Sequence, residues 1–244
     1  MVQEEIGYDV RTIGNHEFDK KIPGLQHMLA LNDVTTVSSN YDFSRTVLAN
    51  NVKKSAIIEA GGHKIGFLGL GTRLQGLVTP IASENVEYSL PLDHAETVAR
   101  ELKDNGAELV IALSHLGYNK DVTNPYQDSG VASHTENIDL IIGGHSHTFL
   151  TSAQFVENPS GKMVPIVQTG SKGIYLGYMK IDLSKTGTDR FTYRLIPVDS
   201  RLDKRIDGAF ASKLRYYSEQ LELSMNEVLG YCPKTMRKGK PQGE

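Results

Sequence analysis

The stretch LVIALSH, residues 109–115, decides the fold class. Five apolar residues in a row, Leu109–Leu113, predict a strand that is buried on both faces, and a polar turn with His115 follows at once. The run Ile138–Ile142 repeats the pattern, because Gly143-Gly144-His145 comes directly after it. In open α/β sheets, binding sites gather beyond the carboxyl ends of the strands. The two runs therefore predict an α/β fold with histidines at one edge of its sheet.

The rest of the chain alternates between strand and helix patterns. Apolar or alternating runs predict further strands at residues 10–13, 34–39, 55–60, 63–70, 164–168, 174–183 and 190–198. Helical spacing predicts helices at residues 23–31 and 93–103, the second capped by Asp93 and ended by Asn105-Gly106. We therefore expect two packed β-sheets flanked by helices.

Composition narrows the class of protein. With 244 residues, 39% of them hydrophobic and 23% charged, the chain can build a full core and has the profile of an ordinary globular protein. Its single cysteine, Cys232, excludes an intramolecular disulfide framework and a multi-cysteine zinc site. A net charge of −3 gives no sign of a nucleic-acid-binding surface. No apolar run approaches the roughly 18 residues that span a membrane.

Three polar segments follow predicted strands, and their residue types suit a metal ion. They are GNHEFD at residues 14–19, SHLG at 114–117 and GGHSHT at 143–148. Imidazole is the commonest nitrogen ligand for divalent transition metals, and an asparagine carbonyl adds a harder oxygen ligand. In an extended segment, the spacing of His145 and His147 would point both rings to one side. Asn15 and His16 are neighbours that point differently, so that one can bind metal while the other faces a substrate.

The remaining candidates have simpler explanations. His27 and His134 lie in predicted helices, and His63 and His94 lie near a turn and a helix start, where a solvated or structural role is expected. Asn40 follows a predicted strand and is expected to cap the strand end rather than to line the site. Cys232 lies near the basic, Gly- and Pro-containing tail and is expected to be inert.

The three motifs resemble the signature of the calcineurin-like metallophosphoesterase superfamily. The fuller runs GNHEFD and GGHSHT are similar to its 5′-nucleotidase branch in particular, and the resemblance covers nearly the whole chain. It implies a hydrolase, a phosphatase of nucleotide catabolism, in which a hydroxide held by two divalent metal ions attacks phosphorus. The donor types suit Zn, Mn, Fe, Co and Mg alike.

The resemblance also implies a role for each motif residue. Asn15, His115 and His145 match ligands of one metal ion, and His147 matches a ligand of the other. His16 matches the catalytic histidine that contacts the phosphate, and Asn15 and His16 together match substrate contacts. Asp19 matches the carboxylate that orients and charges that histidine. The resemblance thus predicts a catalytic pair, His16 and Asp19, beside the metal ligands.

The first motifs of the family pattern do not occur in this sequence. No Asp-x-His is present anywhere, and Asp9, the only aspartate before Gly14, lies in the approach to the first strand. Counting ligands, one metal site keeps three protein groups and the other keeps only His147, so we expect weak filling of one site and weak or no activity of the chain as given. We therefore expect an N-terminally incomplete domain, with any signal peptide upstream of Met1 and a periplasmic or cell-envelope location by resemblance.

The domain organisation follows from the same resemblance. Residues 1–200 are expected to form a partial metallophosphoesterase-like domain, residues 201–230 a long helix beginning at about Asp203, and residues 231–244 a flexible tail. That helix resembles the passage into the separate C-terminal nucleotide-binding domain of 5′-nucleotidases. The expected partners are a nucleotide or another phosphoester and that domain, on the same or a separate chain.

The residues leave three functions open. The first is a 5′-nucleotidase-type hydrolase that removes phosphate from nucleotides. The second is an incomplete, non-catalytic metal-binding module, which the absent motifs favour for this chain. The third keeps the chemistry and changes the substrate to cyclic nucleotides, nucleotide sugars or a sulfur ester, because the motifs contact only the phosphate-like group.

Overall fold

The computed structural model describes residues 6–228 and 230–231. Its strands are β1 (Val10–Thr12), β2 (Thr35–Val37), β3 (Tyr41–Asp42), β4 (Ser55–Ala60), β5 (His63–Gly71), β6 (Glu87–Tyr88), β7 (Leu109–His115), β8 (Leu140–Ile142), β9 (Gln154–Glu157), β10 (Met163–Val167), β11 (Tyr175–Ile181) and β12 (Phe191–Pro197). Its α-helices are α1 (Lys21–Ala30), α2 (Pro91–Asp104), α3 (Asp128–His134) and α4 (Gly208–Met225). Sheets flanked by helices confirm the predicted α/β class.

Six strands form the central sheet, in the order β4-β5-β7-β8-β10-β9. The inner strands β5, β7, β8 and β10 run parallel, and the edge strands β4 and β9 are antiparallel to their neighbours. Strand β7 reads as a continuous apolar run because both of its faces are covered. Since the inner strands are parallel, their carboxyl ends meet at one edge, and the turns with His115 and His145 lie there. The turn with His16 follows β1, which pairs with β2 in a separate two-stranded sheet.

Helices α2 and α3 cover one face of the central sheet. Along α2, Ala95, Val98, Ala99 and Leu102 recur at helical spacing and are buried in the same cluster as residues of α3 and the inner strands. Each large aliphatic side chain buried in this way contributes about 1.5–3 kcal/mol. This cluster makes the sheet a fixed platform for the turns at its edge.

The ends of α2 show one wrong prediction and one confirmed prediction. Asp93 does not cap the helix, since α2 begins at Pro91 and Leu90 precedes it without a side-chain cap bond. Proline suits the first helical position because its fixed φ is helical and its missing N–H has no partner there anyway. The helix ends at Asn105, and Gly106 follows with φ +90°, as expected for a glycine after a helix.

The β11–β12 hairpin covers the opposite face of the central sheet. Met179, Ile181 and Tyr193 of the hairpin pack in one cluster with side chains of the sheet. Those sheet residues are Leu109, Ile111, Leu140 and Val167. Along β7, Leu109 and Ile111 alternate with Val110 and Ala112, which belong to the cluster on the α2 side, as the period of two in a strand requires. The hairpin is therefore a second layer of strands on the sheet.

A separate apolar cluster lies beneath residues 14–19. Phe18 is fully buried, and its ring meets the ring of Tyr41 edge-on, with the centroids 5.8 Å apart. Leu25 and Leu29 of α1 belong to the same cluster, which explains why α1 carries its apolar residues at a spacing of four. Phe18 thus anchors the first motif to a packed core.

The chain separates into two compact units, residues 1–199 and residues 200–244. In the second unit, Asp207 caps α4, since its carboxylate accepts the Phe210 N–H at 2.8 Å. The helix predicted from Asp203 begins later, at Gly208, because residues 200–205 form a 3-10 turn. The predicted tail at 231–244, with Cys232, lies outside the described residues except for Tyr231. In the described part of the chain, no helix is long and apolar enough to cross a membrane.

Candidate active site

The Gly14–Asp19 segment is a tight turn directly after β1. The Phe18 N–H donates to the Asn15 carbonyl at 3.2 Å, and the Glu17 carboxylate accepts the Gly14 N–H at 2.8 Å. With Phe18 buried below, this turn directs neighbouring side chains differently. Asn15 is 6% exposed, whereas the His16 side chain is 73% exposed. The expectation that these two residues point differently agrees with this geometry.

Asn15 lies where all three predicted motifs meet. Its Oδ1 atom is 3.1 Å from His115 Nε2 and 3.2 Å from His145 Nδ1, although 100 and 130 residues separate these pairs in the chain. The two imidazole rings have their centroids 5.1 Å apart. Two loops at the edge of the central sheet and the loop after β1, which pairs with β2 in a separate two-stranded sheet, therefore present two ring nitrogens and an amide oxygen to one another.

Gly14 and Gly144 leave the space that His115 occupies. A β-carbon on Gly14 would lie 2.7 Å from His115 Nε2 and Cδ2, and one on Gly144 would lie 3.1 Å from His115 Nδ1. Both distances are shorter than ordinary contacts of a β-carbon. A side chain at position 14 would therefore force the His115 ring to shift, and one at position 144 would need the ring to move by a few tenths of an ångström.

Burial keeps the two converging histidines neutral. It lowers the pKa of His115 to about 4, and the nearby His145, His16 and His147 lower it further. Burial also lowers the pKa of His145, followed by the effect of His147. A neutral imidazole has a free lone pair, which is the form that binds a metal ion.

The segment with His145 and His147 is not extended, so that part of the sequence reasoning is wrong. His145 has φ +72° and His147 has φ +55°, both in the left-handed region. The Ser146 N–H donates to the Gly144 carbonyl at 2.9 Å, which curls the segment after its glycines. Left-handed backbone costs a non-glycine residue roughly 1–2 kcal/mol. His147 nevertheless lies near the other two histidines, since it affects the pKa of both.

His16 and Asp19 form an exposed pair beside this cluster. His16 Nδ1 is 3.0 Å from Asp19 Oδ2, and the Asp19 side chain is 58% exposed. Since a carboxylate only accepts hydrogen bonds, the His16 proton is on Nδ1 in this pair. The Nε2 atom is therefore the nitrogen that His16 can offer to a substrate.

Asp128 and Gln168 are buried residues that form hydrogen bonds with the motif segments at Ser114 and Ser146. Sequence reasoning missed both. Asp128 is fully buried; its Oδ1 accepts a hydrogen bond from Ser114 Oγ, and a β-carbon on Gly143 would lie 2.3 Å from its Oδ2. Burial raises the pKa of Asp128 to about 7, against the lowering effect of Ser114. Gln168 comes directly after β10, just as His115 stands at the end of β7. Looking for polar residues at the end of every inner strand, β10 included, would therefore have found Gln168.

The other polar residues considered from the sequence have structural contacts. Asn40 is buried; its side-chain amide donates to the Gly71 carbonyl at 2.8 Å and accepts the Gly71 N–H at 2.7 Å, which is strand-end capping as expected. His63 pairs with Glu108 at 2.9 Å on the surface. His134 Nδ1 lies 2.8 Å from the Gly130 carbonyl in α3.

The donor types present suit a divalent metal ion. Within residues 6–228 and 230–231, no group of three or more His, Cys, Asp or Glu side chains is arranged as a metal cluster. The converging set instead combines two neutral imidazoles with the Asn15 amide oxygen. For a second ion, the described residues offer His147 from the predicted ligands.

Comparisons with known proteins identify the family of this chain. The sequence model of the family described as calcineurin-like phosphoesterase matches residues 5–149. A 5′-nucleotidase of Diplobatis ommata is 27% identical over 93% of this chain and 41% of its own length. An apyrase of Tabanus yao is 34% identical over 69% of this chain and 30% of its own length. The chain thus spans about two fifths, or less, of the length of these relatives.

A solved structure gives the same result for the fold. A 5′-nucleotidase precursor of Thermus thermophilus superposes with a TM-score of 0.74 and 26% identity, over 91% of this chain and 45% of the other. The family match covers all three motifs up to Phe149 and more than half of the chain. The chain therefore belongs to the calcineurin-like phosphoesterase family.

Proposed function

We propose that this chain hydrolyses phosphomonoesters with the help of a divalent metal ion, and that 5′-nucleotides are its substrates. The observation that carries the proposal is the convergence of His115 Nε2 and His145 Nδ1 on Asn15 Oδ1, at 3.1 and 3.2 Å. The family is generally dependent on divalent metals. The names of the relatives support nucleotides as the substrate class.

In this proposal, Asn15, His115 and His145 hold one metal ion, and His147 is a ligand of a second. The low pKa of His115 means that its ring is neutral at neutral pH, so that Nε2 can bind the ion once the single ring proton, which faces the Asn15 oxygen here, has moved to Nδ1. A bound divalent ion supplies positive charge to the phosphate oxygens and lowers the pKa of a water molecule. The buried Asn15 fixes the distance between the two imidazole ligands.

His16 and Asp19 are proposed to act on the substrate directly. The exposed His16 ring is held through Nδ1 by Asp19, so its Nε2 atom is open to the substrate and, in the doubly protonated ring, can donate a hydrogen bond to a phosphate oxygen. When it carries a second proton, the same nitrogen can pass it to the ester oxygen that leaves. Asp19 stabilises the positive ring in that step. His16 thus needs to be solvent-accessible, unlike the ligands.

Metal titration and hydrolysis assays test the proposal. The purified chain is titrated with Mn²⁺ and Zn²⁺ by calorimetry and assayed on AMP and on p-nitrophenyl phosphate at each metal concentration. Metal-dependent release of phosphate from both compounds is expected. Metal binding without turnover would favour the non-catalytic module instead, and preferred turnover of a cyclic nucleotide or a nucleotide sugar would replace the substrate class.

Two variants separate the roles of the histidines. His16→Ala is expected to bind metal like the wild type and to lose most of the hydrolysis, whereas His115→Ala is expected to lose metal binding. His27→Ala is the matched control, because His27 is exposed on α1 and outside the site. Loss of metal binding in His16→Ala would overturn the assigned role of that residue.

A separate C-terminal nucleotide-binding domain is the proposed source of contacts to the nucleoside, and a periplasmic or cell-envelope location is proposed with it. The greater length of the relatives supports the first point. Adding such a domain in trans should lower the KM for AMP and leave that for p-nitrophenyl phosphate unchanged. Cell fractionation tests the second point.

A further inference from the structure

The loop with His145 and His147 needs support from outside itself. Both histidines have left-handed backbone conformations, at φ +72° and +55°, with Ser146 between them. A non-glycine residue in that region is uncommon, and such backbone persists only when surrounding contacts hold it. The support must therefore come from residues that form hydrogen bonds with the loop at positions other than 145 and 147.

The buried side chain of Gln168 forms hydrogen bonds with three alternate residues of the loop. Gln168 is 2% exposed, and its Nε2 atom donates to the Gly144 carbonyl at 3.0 Å. Its Oε1 atom accepts the Ser146 hydroxyl at 3.1 Å and also the Thr148 N–H. The bonds fall on residues 144, 146 and 148, so the imidazoles at positions 145 and 147 stay outside this network.

The same network reaches the His115 loop. The Ser146 hydroxyl accepts the Tyr118 N–H at 3.0 Å, and Tyr118 lies three residues after His115. Gln168 itself is held in place, because its main-chain carbonyl accepts the Leu150 N–H at 3.2 Å. A single amide at the end of β10 thus connects both histidine loops to the central sheet.

We infer that Gln168 is a positioning residue that holds the Gly143–Thr148 loop in the left-handed conformation presenting His145 and His147. The inference rests on the proposed function for its link to metal binding. Among the described residues, the hydrogen bonds of the Gln168 side chain go to Gly144, Ser146 and Thr148 and not to either imidazole, so its effect passes through the loop. An amide is required, because the loop offers one carbonyl to a donor and two hydrogens to an acceptor.

Gln168→Met tests the inference, because it keeps the length of the side chain and removes its three hydrogen bonds. Amide hydrogen exchange at Thr148 is expected to become at least about tenfold faster, since its acceptor is lost. Exchange at Leu150 is the internal control, because its acceptor is the main-chain carbonyl of residue 168. Gln154→Met on β9 is the matched variant, since Gln154 bonds to Ser152 at the edge of the sheet.

Cobalt binding gives a second readout. Titration of Gln168→Met with Co²⁺, followed by visible absorption, is expected to show a Kd raised about 10–100-fold and a changed spectrum of the bound ion, as for other residues that orient ligands. Gln168→Glu keeps an acceptor for Thr148 and loses the donor to Gly144. It should restore slow exchange at Thr148 and still weaken cobalt binding, which keeps the test decisive if the methionine variant does not fold.

The results separate this inference from the proposed function. Exchange at Thr148 within twofold of the wild type in Gln168→Met overturns the role of Gln168, whatever the enzyme does. A wild-type chain that binds no cobalt and hydrolyses no phosphomonoester overturns the proposed function, while faster exchange at Thr148 would still support the role of Gln168 in the loop.

Discussion

Replacing Asp128 by asparagine is expected to change the pH dependence of stability. The Asp128 carboxyl is fully buried at the first turn of α3, and Ser114 Oγ donates to its Oδ1. In the described part of the chain, its Oδ2 atom meets no hydrogen-bond donor. Asparagine keeps the oxygen that accepts from Ser114 and cannot ionise. The two chains therefore differ mainly in whether a charge must be buried.

The magnitude follows from the pKa shift. Burial raises the pKa of Asp128 from 3.8 to about 7, so the folded protein holds this proton where the unfolded chain has released it. A raised pKa of an acid means that stability is lost as pH rises between the two values, and the loss is complete above pH 7. A shift of this size corresponds to about 4 kcal/mol in total. Between pH 5 and pH 8, about 2–3 kcal/mol of that loss is expected.

Urea unfolding of both chains at pH 5, 6, 7 and 8 measures the effect. The difference in unfolding free energy between Asp128→Asn and wild type should grow with pH in favour of the variant, and other titrating groups cancel in that difference. Asp33→Asn is the control, since Asp33 is exposed, and its difference should stay flat within about 0.5 kcal/mol. A flat difference for Asp128→Asn as well would refute the reasoning.

Two further predictions concern the first motif. Gly14→Ala places a β-carbon 2.7 Å from the His115 ring and should weaken Mn²⁺ binding about tenfold or more, whereas Gly208→Ala, with no atom within 4 Å, should match the wild type in calorimetry. Asp19→Asn should lower kcat about 10-fold or more and change metal affinity little, because it removes the charge that stabilises protonated His16; an unchanged kcat would argue against the pair.

Strand prediction succeeded where the chain itself carries the signal. Strand β7 was predicted as residues 109–113 and is observed as Leu109–His115. Its continuous apolar run is stable when both faces of the strand are buried, which the covered central sheet provides. The hairpin of β4 and β5 was predicted from its glycine pair and is confirmed. The short pair β3 and β6 was missed, since two residues show no periodicity and the pairing of Tyr41 with Tyr88 is non-local.

The motif residues were predicted because each comes directly after a strand. The structure brings Asn15, His115 and His145 together; the two histidines follow neighbouring parallel strands as that rule expects, whereas Asn15 follows β1 of a separate two-stranded sheet. The backbone between His145 and His147 was predicted wrongly as extended, because its conformation depends on hydrogen bonds to Gln168. Gln168 lies 20 or more positions after the loop in the sequence, so the local sequence pattern of the loop does not indicate this contact.

The sequence by itself determined which chemical groups stand at the strand ends, because apolar runs and the polar turns after them are local properties of the chain. The tertiary structure alone decided how those groups act. It set which ring nitrogen of each histidine faces Asn15, the burial that keeps His115 neutral, and the exposure of His16. These properties arise from contacts across 100 and 130 residues, and they exist only once the turn after β1 has met the carboxyl ends of β7 and β8 in the central sheet.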